Sequence, residues 1–549
     1  MRVADLIVAC LEKHQVERVY CVPGESYLAL LDALYDSQIK TIVCRHEGGA
    51  GFMAVNDAKV TGKPGVLMVS RGPGATNASI AVHVAEQDAA PMVVLVGQVS
   101  RDELTRGAFQ EVDYTQFFGR MAKAVFEVSD GDKMAETVTR AFHLASEGVA
   151  GPVVISIPED VLDDDTSTVI PKPFPVTESL HSPTHTTMVQ AAIDAAERPV
   201  VLAGGLLRGG RGAEALARFA EAQRIPVAAT WKNQDVFDNG SALYAGHIGF
   251  GTPAAHKRML AKADLILAVG TRLGDVASLN YSFPRAPEPE QRLVHIYSDG
   301  GPIGRIFRTD IGIIADPAGL LEDLSQRPRV VSSAREAWIT SVNGFVRDFM
   351  VFHPQEPSDG IDFGSVVKAI SELAPADAVI TTDAGNMSTW VHRHWAMTPK
   401  NLLLGAIAGA MGYGVPAAVA AALAMPHRMA IVFVGDGGIL MTGQELATAQ
   451  QYGAKIKIVI SDNRSYGTIR THQERHYPYR ISGTDLSNPD FAAWARSFGA
   501  HAVTIDKGDD IEAKLREALD HDGASVIHVK SNLEALSAYT TLTAIRPKE

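Results

Sequence analysis

The sequence has little of what several large protein classes require. Its 549 residues contain only three cysteines, Cys10, Cys21 and Cys44, too few and too widely spaced for a disulfide framework or a zinc site. We expect them to be small buried hydrophobic residues in a reducing compartment. No apolar run approaches the roughly 18 residues of a membrane-spanning helix. The 50 Lys and Arg against 63 Asp and Glu give a net charge of −13, without the positive surplus that nonspecific nucleic-acid binding needs. A cytoplasmic protein that binds neither nucleic acid nor membrane is predicted.

Several catalytic signatures are also missing. There is no G-x-x-x-x-G-K-[ST] phosphate loop, no G-x-S-x-G nucleophile elbow and no H-E-x-x-H zinc helix. The glycine-rich stretch 204–210 follows an apolar run but does not match G-x-G-x-x-G, and the 18 histidines form no ligand cluster in the sequence. These absences exclude the P-loop class and give little support to a hydrolase built from side chains alone.

Apolar runs of strand length alternate with helical patterns along the chain, which is typical of parallel sheets covered by helices on both faces. With 46% hydrophobic and 21% charged residues, the composition is that of a globular protein, and the length suggests about three to four domains. Polar, proline-bearing stretches separate three α/β blocks, at 1–165, 188–327 and 361–549. The predicted strands are Thr41–Cys44, Gly65–Ser70, Met92–Val96, Val153–Ile157, Pro199–Ala203, Asp264–Val269, Ala378–Thr381, Met429–Val434, Lys457–Ile460 and Ser525–Val529.

The sharpest local signal is VGDGGILMTGQELATAQQYGAKIKIVISDNRSYG. A predicted strand runs into Asp436-Gly437-Gly438, followed by a helix that we expect to end at Gly453, then by a second strand and Asn463. Two glycines at a helix start let main-chain N–H groups approach a phosphate closely. Because the carboxyl ends of parallel strands meet at one edge of a sheet, the oxygens of Asp436 and Asn463 suit a hard cation such as Mg²⁺ there. From these residues alone, two ordinary turns explain the pattern equally well.

Three further glycine-rich segments follow predicted strands or precede helices. Glu47, in RHEGGAG, comes at the start of a small-residue helix, where the helix dipole favours a carboxylate whether or not it is catalytic. The segment SRGPGATN ends in Asn77 and predicts a tight turn with a crowded backbone. In GAMGYGVP, Met411 by itself is better explained as core filler than as a cofactor contact.

Taken together and in order, these motifs resemble the thiamine-diphosphate-dependent enzymes of the acetolactate synthase type. The segments that carry the resemblance are RHEGGAGFMA, GKPGVLMVSRGPGATNA, PMVVLVGQV, GAFQEVD, GAMGYGVPAA and GDGGILMTGQELATA. The resemblance implies three doubly wound parallel-sheet domains: pyrimidine-binding (1–165), central (188–327) and diphosphate-binding (361–549). It also implies a homodimer or homotetramer with active sites at the subunit interface.

The resemblance also assigns cofactors and residues. It implies thiamine diphosphate with Mg²⁺, in which Glu47 is the catalytic residue that contacts the pyrimidine ring and promotes loss of the thiazolium C2 proton. The metal ligands it implies are Asp436, Asn463 and the main-chain carbonyl of Ser465. Further cofactor-binding positions that it implies are Pro23, Gly24, Asn77, Gly385, Asn386, Gly409, Met411, Gly437, Gly438, Tyr466 and Gly467.

The activity implied is decarboxylation of a 2-keto acid such as pyruvate, with ligation of the remaining fragment to a second carbonyl. Phe109 and Gln110 match the acceptor side of the synthases, which favours ligation. Other expected substrate positions depart from the pattern: Glu25 replaces a small residue, and His472, near Ile469, stands where the synthases carry a tryptophan. The alternatives are a nonligating 2-keto-acid decarboxylase, another C–C lyase that uses an acyl-CoA or a diketone, and a noncatalytic homologue.

FAD is a possible additional ligand. The synthases hold a flavin on the central domain, and Gly246–Gly251 and Gly270–Asp275 resemble the segments used for it. The second arginine expected after Asp275 is absent. The sequence therefore leaves FAD binding open, together with the identity of the donor and acceptor substrates.

Overall fold

A computed structural model of the chain describes residues 1–177, 179–357 and 359–546. Its contacts divide the chain into two compact units, one of residues 1–177, 379–385 and 404–533, the other of residues 178–378, 386–403 and 534–549. Ser358, in the predicted connector, and residues 547–549, at the end of the predicted third block, lie outside the described residues. The predicted block boundaries stay predictions, whereas the three parallel sheets are present.

The first sheet has six parallel strands in the order β2-β1-β3-β4-β6-β5. Its strands are β1 Arg18–Cys21, β2 Lys40–Val43, β3 Gly65–Val69, β4 Met92–Gln98, β5 Ala124–Glu127 and β6 Pro152–Pro158. The helices around it are α1 Val3–Lys13, α2 Leu28–Tyr35, α3 Glu47–Thr61, α4 Pro73–Gln87, α5 Tyr114–Phe118 and α6 Met134–Ser146. Strands β3, β4 and β6 are buried along their whole length, as expected of a sheet covered on both faces.

The second sheet, which lies in the other unit, has the order β12-β11-β10-β7-β8-β9. Its strands are β7 Pro199–Ala203, β8 Val227–Thr230, β9 Tyr244–Ile248, β10 Leu265–Val269, β11 Arg292–Tyr297 and β12 Ile311–Ile314. The accompanying helices are α7 Pro183–Ala195, α8 Gly210–Gln223, α9 Ala254–Leu260, α10 Pro317–Ser325 and α11 Ser333–Met350. Apolar clusters pack on both of its faces.

The third sheet has the order β14-β13-β15-β16-β18-β17. Its strands are β13 Val379–Thr382, β14 Leu402–Leu404, β15 Ala430–Gly435, β16 Ile456–Asp462, β17 His501–Ile505 and β18 Ser525–Lys530. The helices of this part of the chain are α12 Phe363–Leu373, α13 Ser388–His394, α14 Gly414–Ala424, α15 Asp436–Thr442, α16 Leu446–Tyr452, α17 Gly467–His476, α18 Phe491–Ser497, α19 Ile511–Leu519 and α20 Leu542–Ile545.

The predicted fold class is confirmed, and so are all ten predicted strands, with ends that differ by no more than two residues. The prediction of one helix ending at Gly453 is wrong, because α15 stops at Thr442 and a 3-10 turn, Gly443–Glu445, separates it from α16. The turn is packed tightly: a Cβ at Gly443 would lie 3.0 Å from the Trp494 ring. Gly453 does end α16, in the left-handed conformation with φ 67°.

The three cysteines are buried and unpaired, as predicted. Burial raises the pKa of the Cys10 thiol to about 11. Within the described residues, no helix combines the length and the apolar character needed to cross a membrane.

Candidate active site

Glu47 lies at the carboxyl edge of the first sheet, as the first residue of α3. Helix α3 begins here because the His46 side chain caps it, with the Gly48 N–H donating to His46 Nδ1 at 3.0 Å. Asn77, on α4, donates its side-chain N–H to Glu47 Oε2 at 3.0 Å. A Cβ at Gly74 would lie 3.6 Å from Glu47 Oε1. The carboxylate is therefore half-buried between α3 and the GPG turn, with one oxygen fixed by Asn77.

The PG turn after β1 reaches the same edge. Gly24 has no room for a side chain, since a Cβ there would lie 2.6 Å from Ser70 Cβ, while Pro23 is exposed. The Ser26 and Ser70 hydroxyls are 3.0 Å apart. The structure thus brings Gly24 and Glu47 to one edge from two neighbouring strands.

The segment before Glu47 is held by a carboxylate that the sequence did not reveal. Glu445, fully buried in the 3-10 turn after α15, accepts the main-chain N–H groups of Arg45 and His46, both at 3.0 Å. A Cβ at Gly49 would lie 2.5 Å from Glu445 Oε1, so RHEGG needs its glycine here. The pKa of Glu445 is raised by burial.

The predicted metal ligands meet at the carboxyl ends of β15 and β16, which pair in parallel with Gly435 opposite Ser461. Asp436 is 3% exposed, and its Oδ1 accepts the Gly437 N–H at 3.1 Å. Asn463 Oδ1 accepts the Ser465 N–H at 3.1 Å. A carboxylate, an amide oxygen and the main-chain carbonyl of Ser465 therefore follow two neighbouring strands at the same sheet edge.

Asn488 completes this cluster, and sequence reasoning missed it. Its side-chain nitrogen donates to Asp436 Oδ2 and to Asp462 Oδ1, both at 2.8 Å. Asp462 in turn lies 2.8 Å from His528 Nε2 and 3.2 Å from Lys530 Nζ. One amide thus separates two buried carboxylates that would otherwise repel each other.

These residues fit Mg²⁺. The donor set consists entirely of oxygens, which a hard cation prefers. Desolvation raises the pKa of Asp436 to about 6. A cation bound beside this carboxylate would favour its ionised form. No group of three or more His, Cys, Asp and Glu suited to a metal occurs in the described part of the chain, so a cation here depends on the amide and carbonyl oxygens.

The glycines of GDGG fit a phosphate cradle. Gly437 packs against Tyr466, whose ring would lie 2.5 Å from a Cβ at that position, and a Cβ at Gly438 would lie 3.1 Å from Asp383 Oδ2. Asp383, 1% exposed and also missed from the sequence, accepts the Gly412 N–H at 3.0 Å. It thereby joins the GAMGYG loop to the start of α15, where the Gly437 N–H donates to Asp436 Oδ1 at 3.1 Å.

The remaining predicted cofactor positions lie on nearby loops or in the other unit. Gly409 is exposed with φ 70°, and Met411 is half-buried two residues later. Gly467 begins α17, its N–H donating to Ser465 O at 2.7 Å. Gly385, with φ 151°, ends a segment of the first unit, while Asn386 belongs to the second and precedes α13.

The predicted substrate residues are mostly exposed. Phe109 is 75% exposed and Ile469 52% exposed, and His472 is exposed on α17. Gln110 adopts φ 65° and lies against Gly72, where a Cβ would be 2.8 Å from Gln110 O. Glu25 forms an ion pair with Arg71 at 3.0 Å.

The two segments compared with a flavin site differ in the space beside their glycines. A Cβ at Gly246, Gly249 or Gly251 would lie 2.7 Å or less from His256, Trp231 or Tyr539 respectively. The protein's own rings therefore fill the space beside these glycines, whereas Gly274, in the second segment, has open space beside it. FAD binding stays open.

Family models for thiamine pyrophosphate enzymes match the chain in three regions: the N-terminal TPP binding domain over residues 1–117, the central domain over 187–324 and the C-terminal TPP binding domain over 383–529. The chain belongs to the thiamine pyrophosphate enzyme family. Glu47 and Asp436 lie in the first and last of these regions, so the predicted family is confirmed together with domains for thiamine diphosphate.

Within this family the chain is similar to acetolactate synthases. It is 34% identical to the acetolactate synthase large subunit of Parasynechococcus marenigrum, over 96% of this chain and 87% of the relative. It is 33% identical to a probable acetolactate synthase large subunit of Methanocaldococcus jannaschii, over 94% and 90%. It is 31% identical to the acetolactate synthase isozyme 2 large subunit of Escherichia coli, over 96% of this chain and 95% of the relative.

Proposed function

We propose that the chain uses thiamine diphosphate and Mg²⁺ to decarboxylate a 2-keto acid such as pyruvate and to ligate the remaining fragment to a second carbonyl. The observation that carries the proposal is the pair of sheet edges in a thiamine pyrophosphate enzyme: Glu47 fixed by Asn77 at one, and Asp436 with the Asn463 turn at the other. The acetolactate synthases to which the chain is similar support ligation over simple release of an aldehyde.

The cofactor, when bound, supplies the electron sink that makes decarboxylation of a 2-keto acid feasible. The chain supplies positioning and proton control. Glu47 would exchange a proton with the pyrimidine ring nitrogen of the bound cofactor, and Asn77 holds the carboxylate for it. Asp436, Asn463 and the Ser465 carbonyl would hold Mg²⁺, and Gly437 and Gly438 at the start of α15 would lie beside the diphosphate.

The proposal includes a homodimer or homotetramer with active sites at the subunit interface. Large apolar side chains lie exposed on the first unit, and they include two of the predicted substrate residues. These side chains are Ile80, Phe109, Leu440, Met441, Ile469 and Tyr477. A second copy that covers them would also enclose the substrate positions. A cytoplasmic location is part of the proposal.

A panel of 2-keto acids with product identification tests the function. Consumption of pyruvate or a relative should require both thiamine diphosphate and Mg²⁺ and stop with EDTA, and the panel is run with and without FAD. Consumption that is indifferent to EDTA would contradict the metal assignment. An aldehyde as the sole product would favour the nonligating decarboxylase, and an inert panel would favour an acyl-CoA or diketone substrate or a noncatalytic homologue.

A further inference from the structure

Three charged side chains meet at the carboxyl edge of the first sheet, and only one of them, Glu25, is among the predicted substrate residues. Glu25 follows β1, Arg71 follows β3 and Glu159 follows β6. Arg71 Nη1 donates to Glu159 Oε2 at 2.7 Å, and Arg71 Nη2 donates to Glu25 Oε1 at 3.0 Å. One guanidinium therefore stands between two carboxylates at the edge that also carries Glu47.

The guanidinium is only partly used. Nε and Nη2 form one side of the group, a fork that matches the two oxygens of a carboxylate. Glu25 occupies only the Nη2 position of that fork, and Arg71 Nε is buried without a hydrogen-bond partner among the described residues. A buried donor without an acceptor is unusual in a folded protein. Only one of the two N–H donors of this fork therefore has an acceptor.

The two carboxylates hold Arg71 unequally. The Arg71 side chain is 10% exposed, that of Glu159 34% and that of Glu25 66%. Glu159 is also fixed by the Ser100 hydroxyl, at 3.3 Å. A pair as exposed as that of Glu25 is held weakly. Glu159 therefore anchors the guanidinium, and Glu25 is the partner that an incoming anion can replace.

Arg71 is placed beside the predicted acceptor side. The next residue, Gly72, lies against the backbone of Gln110, and its N–H donates to the Tyr114 hydroxyl at 2.9 Å. The Arg71 N–H donates to Ser26 Oγ at 3.2 Å, next to Glu25. The Nε–Nη2 side of the Arg71 guanidinium is thus part of the sheet edge where the second substrate is expected.

We propose that Arg71 binds the carboxylate of a 2-keto acid on the acceptor side through Nε and Nη2, with Glu25 as the counter-ion that this carboxylate displaces. The proposal rests on the proposed function and names the substrate class of that site: an anionic acceptor is selected over a neutral one. Glu25 sets the strength of the selection, because it competes for the same donors.

Calorimetric titration with oxamate, an unreactive anionic analogue of pyruvate, tests the proposal on protein loaded with thiamine diphosphate and Mg²⁺. Arg71→Met should weaken oxamate binding about 10- to 100-fold, the range expected for lost hydrogen bonds to a charged group. Pyruvamide, its neutral counterpart, should bind the wild type and Arg71→Met equally. Glu25→Gln should tighten oxamate binding several-fold.

Two further variants separate recognition from folding. Arg71→Met/Glu159→Gln leaves no unpaired Glu159 carboxylate and should show the same loss as Arg71→Met. Arg101→Met is the matched control, because Arg101 also pairs with two carboxylates, Asp160 at 2.6 Å and Asp164 at 2.8 Å, but is 38% exposed. It should bind oxamate like the wild type.

Equal oxamate binding by the wild type and both Arg71 variants would overturn the proposal, as would weaker binding by Glu25→Gln. The proposed function is judged separately, by consumption of 2-keto acids. A protein that binds oxamate through Arg71 but consumes no 2-keto acid would keep this site and lose the proposed function. One that consumes pyruvate with oxamate binding indifferent to Arg71 would do the reverse.

Discussion

The Glu445 carboxylate lies 3.0 Å from the main-chain nitrogen of His46, the residue directly before Glu47. Residue 445 follows Asp436 by one short helix, so the fixed position of Glu47 depends on a buried carboxylate far away in the sequence. Three of its contacts, to the N–H groups of Arg45 and His46 and to the Thr448 hydroxyl, satisfy a group that is costly to bury alone.

Removal of that carboxylate should lower turnover more than it weakens cofactor binding. In Glu445→Ala the two main-chain N–H groups lose their acceptor, which costs about 1–3 kcal/mol of stability and loosens the turn that carries Glu47. We expect kcat and the rate of hydrogen–deuterium exchange at thiamine C2 to fall together, with a small change in the dissociation constant of thiamine diphosphate. Glu445→Gln keeps one oxygen acceptor and should lie between Glu445→Ala and the wild type. An exchange rate in Glu445→Ala equal to that of the wild type would refute the positioning role.

Glu47→Gln should stop proton exchange with the cofactor while leaving the fold intact. The amide keeps the size of the side chain but cannot exchange a proton, and general acid–base groups contribute about 10²- to 10⁴-fold in rate. C2 exchange measured by NMR after an acid quench should fall within that range. Asn77→Ala, which removes only the hydrogen bond to Glu47, should show a smaller loss. Full exchange in Glu47→Gln would exclude Glu47 as the catalytic residue.

Mg²⁺ affinity should fall as the pH drops through about 6, where Asp436 titrates. Burial raises the pKa of this carboxyl from 3.8, so below that pH a proton occupies the metal ligand. The sign for the metal-free protein follows: stability decreases as the pH rises from about 4 to about 6, because an ionised carboxylate is left buried. The rise in Tm on adding Mg²⁺ should therefore be larger at about pH 8 than at about pH 5. An equal rise at both values would contradict the assignment of Asp436.

Asn488→Ala should move that pH dependence upward. The Asn488 amide lowers the pKa of Asp436, whereas the charge of Asp462 raises it. Without the amide, the proton should compete with Mg²⁺ at higher pH, and a Mg²⁺ titration at about pH 7 should show weaker binding than in the wild type. Asn343, which donates to the carbonyls of Ser241 and Tyr244 in the other unit, offers a control: Asn343→Ala should leave the Mg²⁺ titration unchanged.

The sequence allowed prediction of what depends on local pattern. Fully buried strands are continuous apolar runs, so Pro199–Ala203 was predicted to the residue, and the strand ends placed Glu47 and Asp436 at sheet edges. The break at Thr442 was not predicted, and in the structure the next residue, Gly443, packs against Trp494, which is distant in the sequence. When only neighbouring residues in the sequence are considered, the segment up to Gly453 is expected to form one continuous helix.

The polar and charged residues that support the site could not be predicted for the same reason. Nothing near Asn488 in the sequence shows that it bridges Asp436 and Asp462, and Glu445 acts on residues about 400 positions away. Glu25 was noticed only as a departure from a family pattern. Its ion pair with Arg71 is visible only in the structure, where the strands bring both residues to one edge.

The most direct measurement of the central claim is product identification by NMR after incubation of the protein with ¹³C-labelled pyruvate alone, thiamine diphosphate and Mg²⁺. The account predicts acetolactate as the main product, formed by the wild type and absent from Glu47→Gln and from the sample with EDTA. Labelled acetaldehyde without any ligated product, or acetolactate formed equally by Glu47→Gln, would contradict it.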